Sequence, residues 1–216
     1  MFVSHRYRVI FVHIQRTGGN SINKVFRDHD PELVELVPIA PEKQRTRHGY
    51  ISDLKAALDP AVFKSYTKFA VVRNPFDRFV SWYFMFKHGL GDDEVPTTYA
   101  HVGNEVMRLV NENASTFEAF VHLPCEHPSG LFRRLYVPQV AYVAEDGTVL
   151  ADQILRFESL TDDFQRLADA VNFPGHLPHV NRSVRVADYR GCYSEETKAI
   201  IAQRFQQDLD AFNYEF

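Results

Sequence analysis

Three short apolar runs stand out along the chain. Residues 8–14 (RVIFVHI), residues 68–73 (KFAVVR) and QILRF each fit a strand better than a helix, the last as a buried one. Between them the periodicity changes. Helices are predicted over 21–28, 52–58 and 75–87, over FEAFVHL behind a capping box of Ser115 and Glu118, and over TDDFQRLADAV. A final helix starts at Ser194, and its Ile200, Ile201, Phe205, Leu209 and Phe212 recur at helical spacing, as expected of a face packed on a sheet. Strands separated by helices predict an α/β chain with a parallel sheet.

The first run leads into a chemically informative turn. Gln15-Arg16-Thr17-Gly18-Gly19-Asn20-Ser21 follows the strand and opens the first helix. Adjacent glycines reach backbone angles closed to other residues, so successive amides can turn toward one point, and the helix start adds unpaired N–H groups. That is a phosphate cradle, and Arg16 brings a positive charge to its mouth. It is not a Walker loop, because the chain contains no Gly-Lys pair.

The second run ends in Arg73-Asn74-Pro75, with Asn74 placed to cap a helix and Pro75 at its first position. Where a nucleotide hydrolase usually carries an Asp for magnesium, Arg73 and Asn74 stand instead. Arg73 lies at the carboxyl end of a strand, the edge where open parallel sheets bind ligands. Ser81 follows two turns into the helix, on the side of Asn74 and Arg78, so Arg73 and Ser81 can share one phosphate.

Together the two motifs resemble the sulfotransferases that use 3′-phosphoadenosine 5′-phosphosulfate (PAPS), in particular the group related to glycan 2-O- and 6-O-sulfotransferases and their smaller bacterial relatives. The family's PKTGGTS or QKTGGTT loop is matched here by Gln15 to Ser21, and its RNPxxRxxSxY element by Arg73, Asn74, Pro75, Arg78, Ser81 and Tyr83. The stretch ILRFESLTDDFQRL and the ending from LPHVNRSVRVADYR to AFNYEF are similar to its C-terminal half, so the resemblance spans most of the chain. It implies a P-loop-like three-layer α/β fold with a central, mostly parallel sheet flanked by helices. It also implies PAPS as co-substrate. The 5′-phosphosulfate then falls to Arg16, Thr17, Gly18, Gly19, Asn20 and Ser21, and the 3′-phosphate to Arg73 and Ser81, with Ser183 and Arg185 (and Asn181 nearby) as further partners.

One departure is chemical. The family usually has Lys where this chain has Arg16, and a guanidinium keeps the charge but hardly releases a proton. A departing phosphate needs charge stabilisation more than a proton, so Arg16 is expected to be catalytic. The acceptor hydroxyl needs a base, and His48, in the short HG stretch where related enzymes carry a histidine, is the candidate; imidazole titrates near 6.5 when unperturbed. His13, within the first strand beside Phe11, reads instead as a core or loop residue. No metal is expected, because cations and backbone dipoles can do what magnesium does in kinases. Asp92, Asp93 and Glu94 read as a solvated acidic turn.

Composition narrows the remainder. The chain has 216 residues, 45% hydrophobic and 13% aromatic, with no linker, repeat or low-complexity block, as expected of one sulfotransferase domain over 1–216. Net charge is −4, from 24 basic against 28 acidic residues, which argues against nucleic acid as a partner. Lys43, Arg45, Arg47 and His48 form a local basic stretch able to meet an anionic glycan. Cys125 and Cys192 are far apart in sequence and show no metal-ligand spacing. Without a signal-like N-terminus or a run of about 20 apolar residues, a soluble, cytoplasmic protein with no membrane contact is expected. The acceptor stays open among sugars, phenols, lipid hydroxyls and small metabolites. Two other classes stay open too: a magnesium-dependent kinase or nucleotide hydrolase with a degenerate loop, and a non-catalytic PAPS-binding module.

Overall fold

The computed structural model describes residues 1–35, 37, 48–88, 100–124, 131–177 and 188–216. Lys43, Arg45, Arg47, the acidic turn at 92–94, Cys125, Asn181, Ser183 and Arg185 lie outside the described residues. Two compact units emerge, and each is made of two chain segments: 1–73 with 139–180, and 74–138 with 181–216.

The first unit is built on a five-stranded sheet. In chain order it contains β1 (Phe2–Ser4), β2 (Val9–Val12), α1 (Gly19–His29), β3 (Val34–Glu35), α2 (Ile51–Ala57), α3 (Pro60–Ser65) and β4 (Thr67–Val72). The strand order is β3-β1-β2-β4-β7, where β7 is Gln153–Arg156. β2, β4 and β7 are parallel, with Val12 opposite Ala70 and Val72 opposite Arg156. β1 runs antiparallel to both β2 and β3. The sheet is therefore partly parallel where a mostly parallel one was expected. Met1, Phe2 and Val3 are buried ahead of a polar turn, so the N-terminus folds back as a hairpin arm.

Alternation along the strands explains the packing. Phe2, Val9, Phe11, Phe69, Val71 and Leu155 share one core with Ile22, Val25 and Phe26 of α1, and with Phe164, Leu167 and Ala168 of α8 (Leu160–Ala170). Phe26 stacks on Phe173 with centroids 4.1 Å apart. Truncating so enclosed a ring costs about 3–5 kcal/mol. Val3, Ile10, Val12, Ala70 and Val72, the alternate residues, are equally buried, so both sheet faces are covered. The same unit contains α7 (Gln139–Val143) and a hairpin of β5 (Ala144–Glu145) and β6 (Thr148–Val149). Its turn, Asp146-Gly147, has φ of 49° and 77°, the Asp-Gly combination that suits the twist of a two-residue hairpin.

The second unit is helical among its described residues: α4 (Pro75–His88), α5 (Ala100–Asn113), α6 (Phe117–Val121), α9 (Glu195–Arg204) and α10 (Gln206–Phe212). Asn74 caps α4, its Oδ1 accepting from the Phe76 amide at 3.0 Å, and Pro75 is the first helical residue, both as expected. Phe76, Phe79, Trp82 and Phe86 of α4 share a core with Phe120, Ile201 and Phe205. The terminal helix differs from expectation in one respect: it breaks at Phe205, where ψ turns to 25°. Its Ile200, Ile201, Phe205 and Leu209 belong to the same core as residues of α4 and α6. The cap of α6 is Thr116, whose hydroxyl accepts from the Ala119 amide at 3.1 Å, and not Ser115. No helix among the described residues is long and apolar enough to cross a membrane.

Candidate active site

The parallel register lines up three strand ends. Residue 13 follows β2, residue 73 follows β4 and residue 157 follows β7, so the segments that continue from them leave the sheet at one edge. Open α/β sheets bind ligands at that edge.

The glycine loop is tightly built. Arg16 sits at φ 66° and Gly18 at φ 84°, both in the left-handed region, which is strained for Arg and cost-free for Gly. A β-carbon on Gly18 would meet Leu160 at 3.0 Å and Phe157 at 3.2 Å; one on Gly19 would overlap the buried His13 ring. Gly19 is therefore dictated by space, and Gly18 by its backbone angle, with tight neighbours besides. Thr17 is wholly buried, and its hydroxyl donates to the Ile14 carbonyl at 2.9 Å, bracing the loop from inside. α1 starts at Gly19, two residues earlier than the sequence suggested, so Asn20 and Ser21 belong to its first turn. Neither a side-chain cap nor an acidic residue occupies that first turn, so the helix adds no negative charge of its own to its positive end.

Arg73 is 3% exposed and meets the loop directly. Its Nη1 donates to the Arg16 carbonyl at 3.1 Å, while the guanidinium lies 4.2 Å from the centroid of Phe157. His48 arrives from another segment. Its Nδ1 is 2.9 Å from the carbonyl oxygen of His13, and the two imidazole rings are 4.4 Å apart. A carbonyl can only accept, so Nδ1 carries the proton and the lone pair of the neutral ring lies on Nε2. His13 is 3% exposed just past the end of β2 and stacks on Phe11 at 5.5 Å, the packed role expected of it.

Comparison with known proteins bears on what this geometry is for. The model of the sulfotransferase family matches residues 1–215. This chain belongs to the sulfotransferase family. No curated protein and no solved structure matches it. Membership makes the sulfotransferase a group-transfer enzyme whose general chemistry is sulfuryl transfer, with PAPS as the co-substrate that the family uses in general and a hydroxyl-bearing acceptor.

Within the sulfotransferase, the structure brings Arg16, Gly18, Gly19, Arg73 and His48 together in the first unit. Ser81 is placed on α4 of the second unit, 4% exposed, and Arg78 on the same helix is 2% exposed with Nη1 donating to the Val137 carbonyl at 3.3 Å. Among the described residues, Glu118, His122 and Glu196 bring ligand atoms within 4.8 Å of one another; all three are exposed, where water already solvates them.

Several residues at the sulfotransferase site escaped the sequence reading. Phe157 lies against both Gly18 and Arg73. Gln139 is fully buried and holds the Arg73 backbone at two points, at 2.9 and 2.8 Å. Tyr142 donates to Gln15 Oε1 at 3.0 Å and stacks on Tyr50 at 5.0 Å. The one signal in the sequence was a polar residue, Gln139, within the apolar run LYVPQVAYV, since a buried amide must find partners.

Proposed function

We propose that this sulfotransferase moves a sulfuryl group from PAPS to a hydroxyl on a carbohydrate or small-molecule acceptor, by in-line transfer with His48 as the base. The observation that carries the reading is the hydrogen bond from Arg73 to the Arg16 carbonyl, which joins the two motifs assigned to the donor nucleotide. The residues present suit that donor. Gly19 has no room for a side chain, Gly18 needs its left-handed angle, and the first turn of α1 carries no acidic residue. We read the β2–loop–α1 element as P-loop-like on the same grounds, and the whole of 1–216 as one sulfotransferase domain because the family match runs through both units.

When bound, PAPS supplies a sulfuryl group attached to a phosphate leaving group. The chain supplies the remainder. His48 Nε2 accepts the proton of the acceptor hydroxyl, while the Nδ1–H bond to the His13 carbonyl keeps the ring in that tautomer. Arg16 stabilises negative charge gathering on the departing phosphate, assisted by loop amides and by Asn20 and Ser21 in the first turn. Arg73 and Ser81, with Ser183 and Arg185, take the 3′-phosphate. No step calls for a metal, since fixed cations and amides are aimed where charge develops.

Calorimetric titration with 3′-phosphoadenosine 5′-phosphate (PAP) in the presence of EDTA, beside ATP and AMP, tests the reading. Binding of PAP well above AMP without metal supports it, and labelled PAPS with a panel of hydroxyl acceptors then finds the substrate. A preference for magnesium-ATP, or no PAP binding, overturns it in favour of a kinase or hydrolase. PAP binding without turnover on any acceptor points to a PAPS-binding module.

A further inference from the structure

We propose that Gln139 is a positioning residue for Arg73, and that the short helix α7 which carries it is the brace that sets the anion-binding geometry of the site. The inference rests on the reading that Arg73 binds the 3′-phosphate of the donor. Arg73 is the first residue beyond β4, past the last rungs that β4 shares with its neighbours. Gln139 supplies what those neighbours no longer provide. Its Oε1 accepts from the Arg73 amide at 2.9 Å and its Nε2 donates to the Arg73 carbonyl at 2.8 Å. One side chain thereby reproduces both hydrogen bonds of a sheet rung, fixing the backbone of Arg73 and the direction in which its side chain departs.

From that fixed start the guanidinium reaches Phe157 and the Arg16 carbonyl. The pairing is specific to an amide. A carboxylate at 139 would keep the acceptor and lose the donor, and an apolar side chain would lose both while leaving the Arg73 N–H and C=O without these bonds.

α7 makes the same kind of contact at two other points of the site. Tyr142, nearly one helical turn after Gln139, donates to the side chain of Gln15, which precedes Arg16, and its ring stacks on Tyr50, two residues after His48. The helix then runs into β5, where Glu145 pairs with Lys55 of α2. A five-residue helix thus touches Arg73, the neighbour of Arg16 and the segment of His48.

Affinities of PAP and AMP for the parent, Gln139→Leu and Gln139→Glu test this, because AMP lacks only the 3′-phosphate. The parent is expected to prefer PAP. Gln139→Leu should lose about tenfold or more in PAP affinity with AMP affinity held, and Gln139→Glu, which sets a carboxylate oxygen against the Arg73 carbonyl, should lose at least as much. General damage to the fold would weaken both ligands together. Should Gln139→Leu not fold, as judged by circular dichroism, Gln139→Glu decides alone by the same PAP-to-AMP ratio. A parent that does not prefer PAP overturns the reading of Arg73 and this inference with it. A parent that prefers PAP, with variants that keep its ratio, overturns only the role of Gln139.

Discussion

Arg16 combines a left-handed backbone with a catalytic assignment, and the two can be separated. Arg16→Gly removes the strain along with the charge, so its melting temperature should equal or exceed the parent's while turnover falls about 10²–10³-fold, the loss typical of one charge-stabilising donor. An unchanged rate would remove Arg16 from the mechanism. At Gly19 the expectation reverses. A β-carbon overlapping a buried imidazole forces His13 or the loop to move, so Gly19→Ala should cost about 1–3 kcal/mol and weaken PAP binding, read by thermal melts and calorimetry. His48→Asn should lower turnover about 10²–10⁴-fold with PAP affinity held, because the proposed base would act on the acceptor and not on the donor. Gly18, Gly19, Arg73 and Asn74 were legible in the sequence because a left-handed turn, a strand end and a helix cap each leave a local pattern. Gln139 and Phe157 were not, because the chemistry of each depends on a neighbour distant in sequence.

Elements were recovered where local signals are strong, and their edges moved where one residue outcompeted another. Thr116 took the cap of α6 from Ser115 by a single position. Thr116→Ala should therefore cost about 0.5–2 kcal/mol in chemical denaturation, and Ser115→Ala less than about 0.5 kcal/mol; equal costs would contradict the assignment. The three parallel strands were read from their apolar runs, whereas β1 and β3, only three and two residues long, were not. Such short strands are defined by the partner they pair with and have too few residues for a period to show. Similarly, the stripe from Ile201 to Phe212 announced a buried face but not its destination, and the helix breaks at Phe205 while its ring lies 6.0 Å from that of Phe79.

At the scale of the whole molecule, one pH effect runs through the half-buried Tyr193. Burial pushes Tyr193 far above the ordinary range of a tyrosine, reinforced by Cys192, Tyr189 and Asp77 nearby, and its hydroxyl donates to the Phe76 carbonyl at 2.9 Å. A raised native pKa makes this stability fully present below about pH 10 and lost as pH climbs above it, because the unfolded tyrosine ionises first. Tyr193→Phe should cost about 0.5–1.5 kcal/mol at neutral pH and show a shallower alkaline decline in denaturation series above about pH 10. The strand register has a temporal consequence as well. β4 finds β2 early in synthesis, but its other edge pairs with β7, Phe69 meeting Gln153. At about 5–20 residues per second the ribosome leaves that apolar edge open for on the order of ten seconds. An unpaired strand edge is a template for other chains, so the yield of active protein is expected to rise when translation is cooled or a holding chaperone is supplied, and an unchanged yield would contradict this.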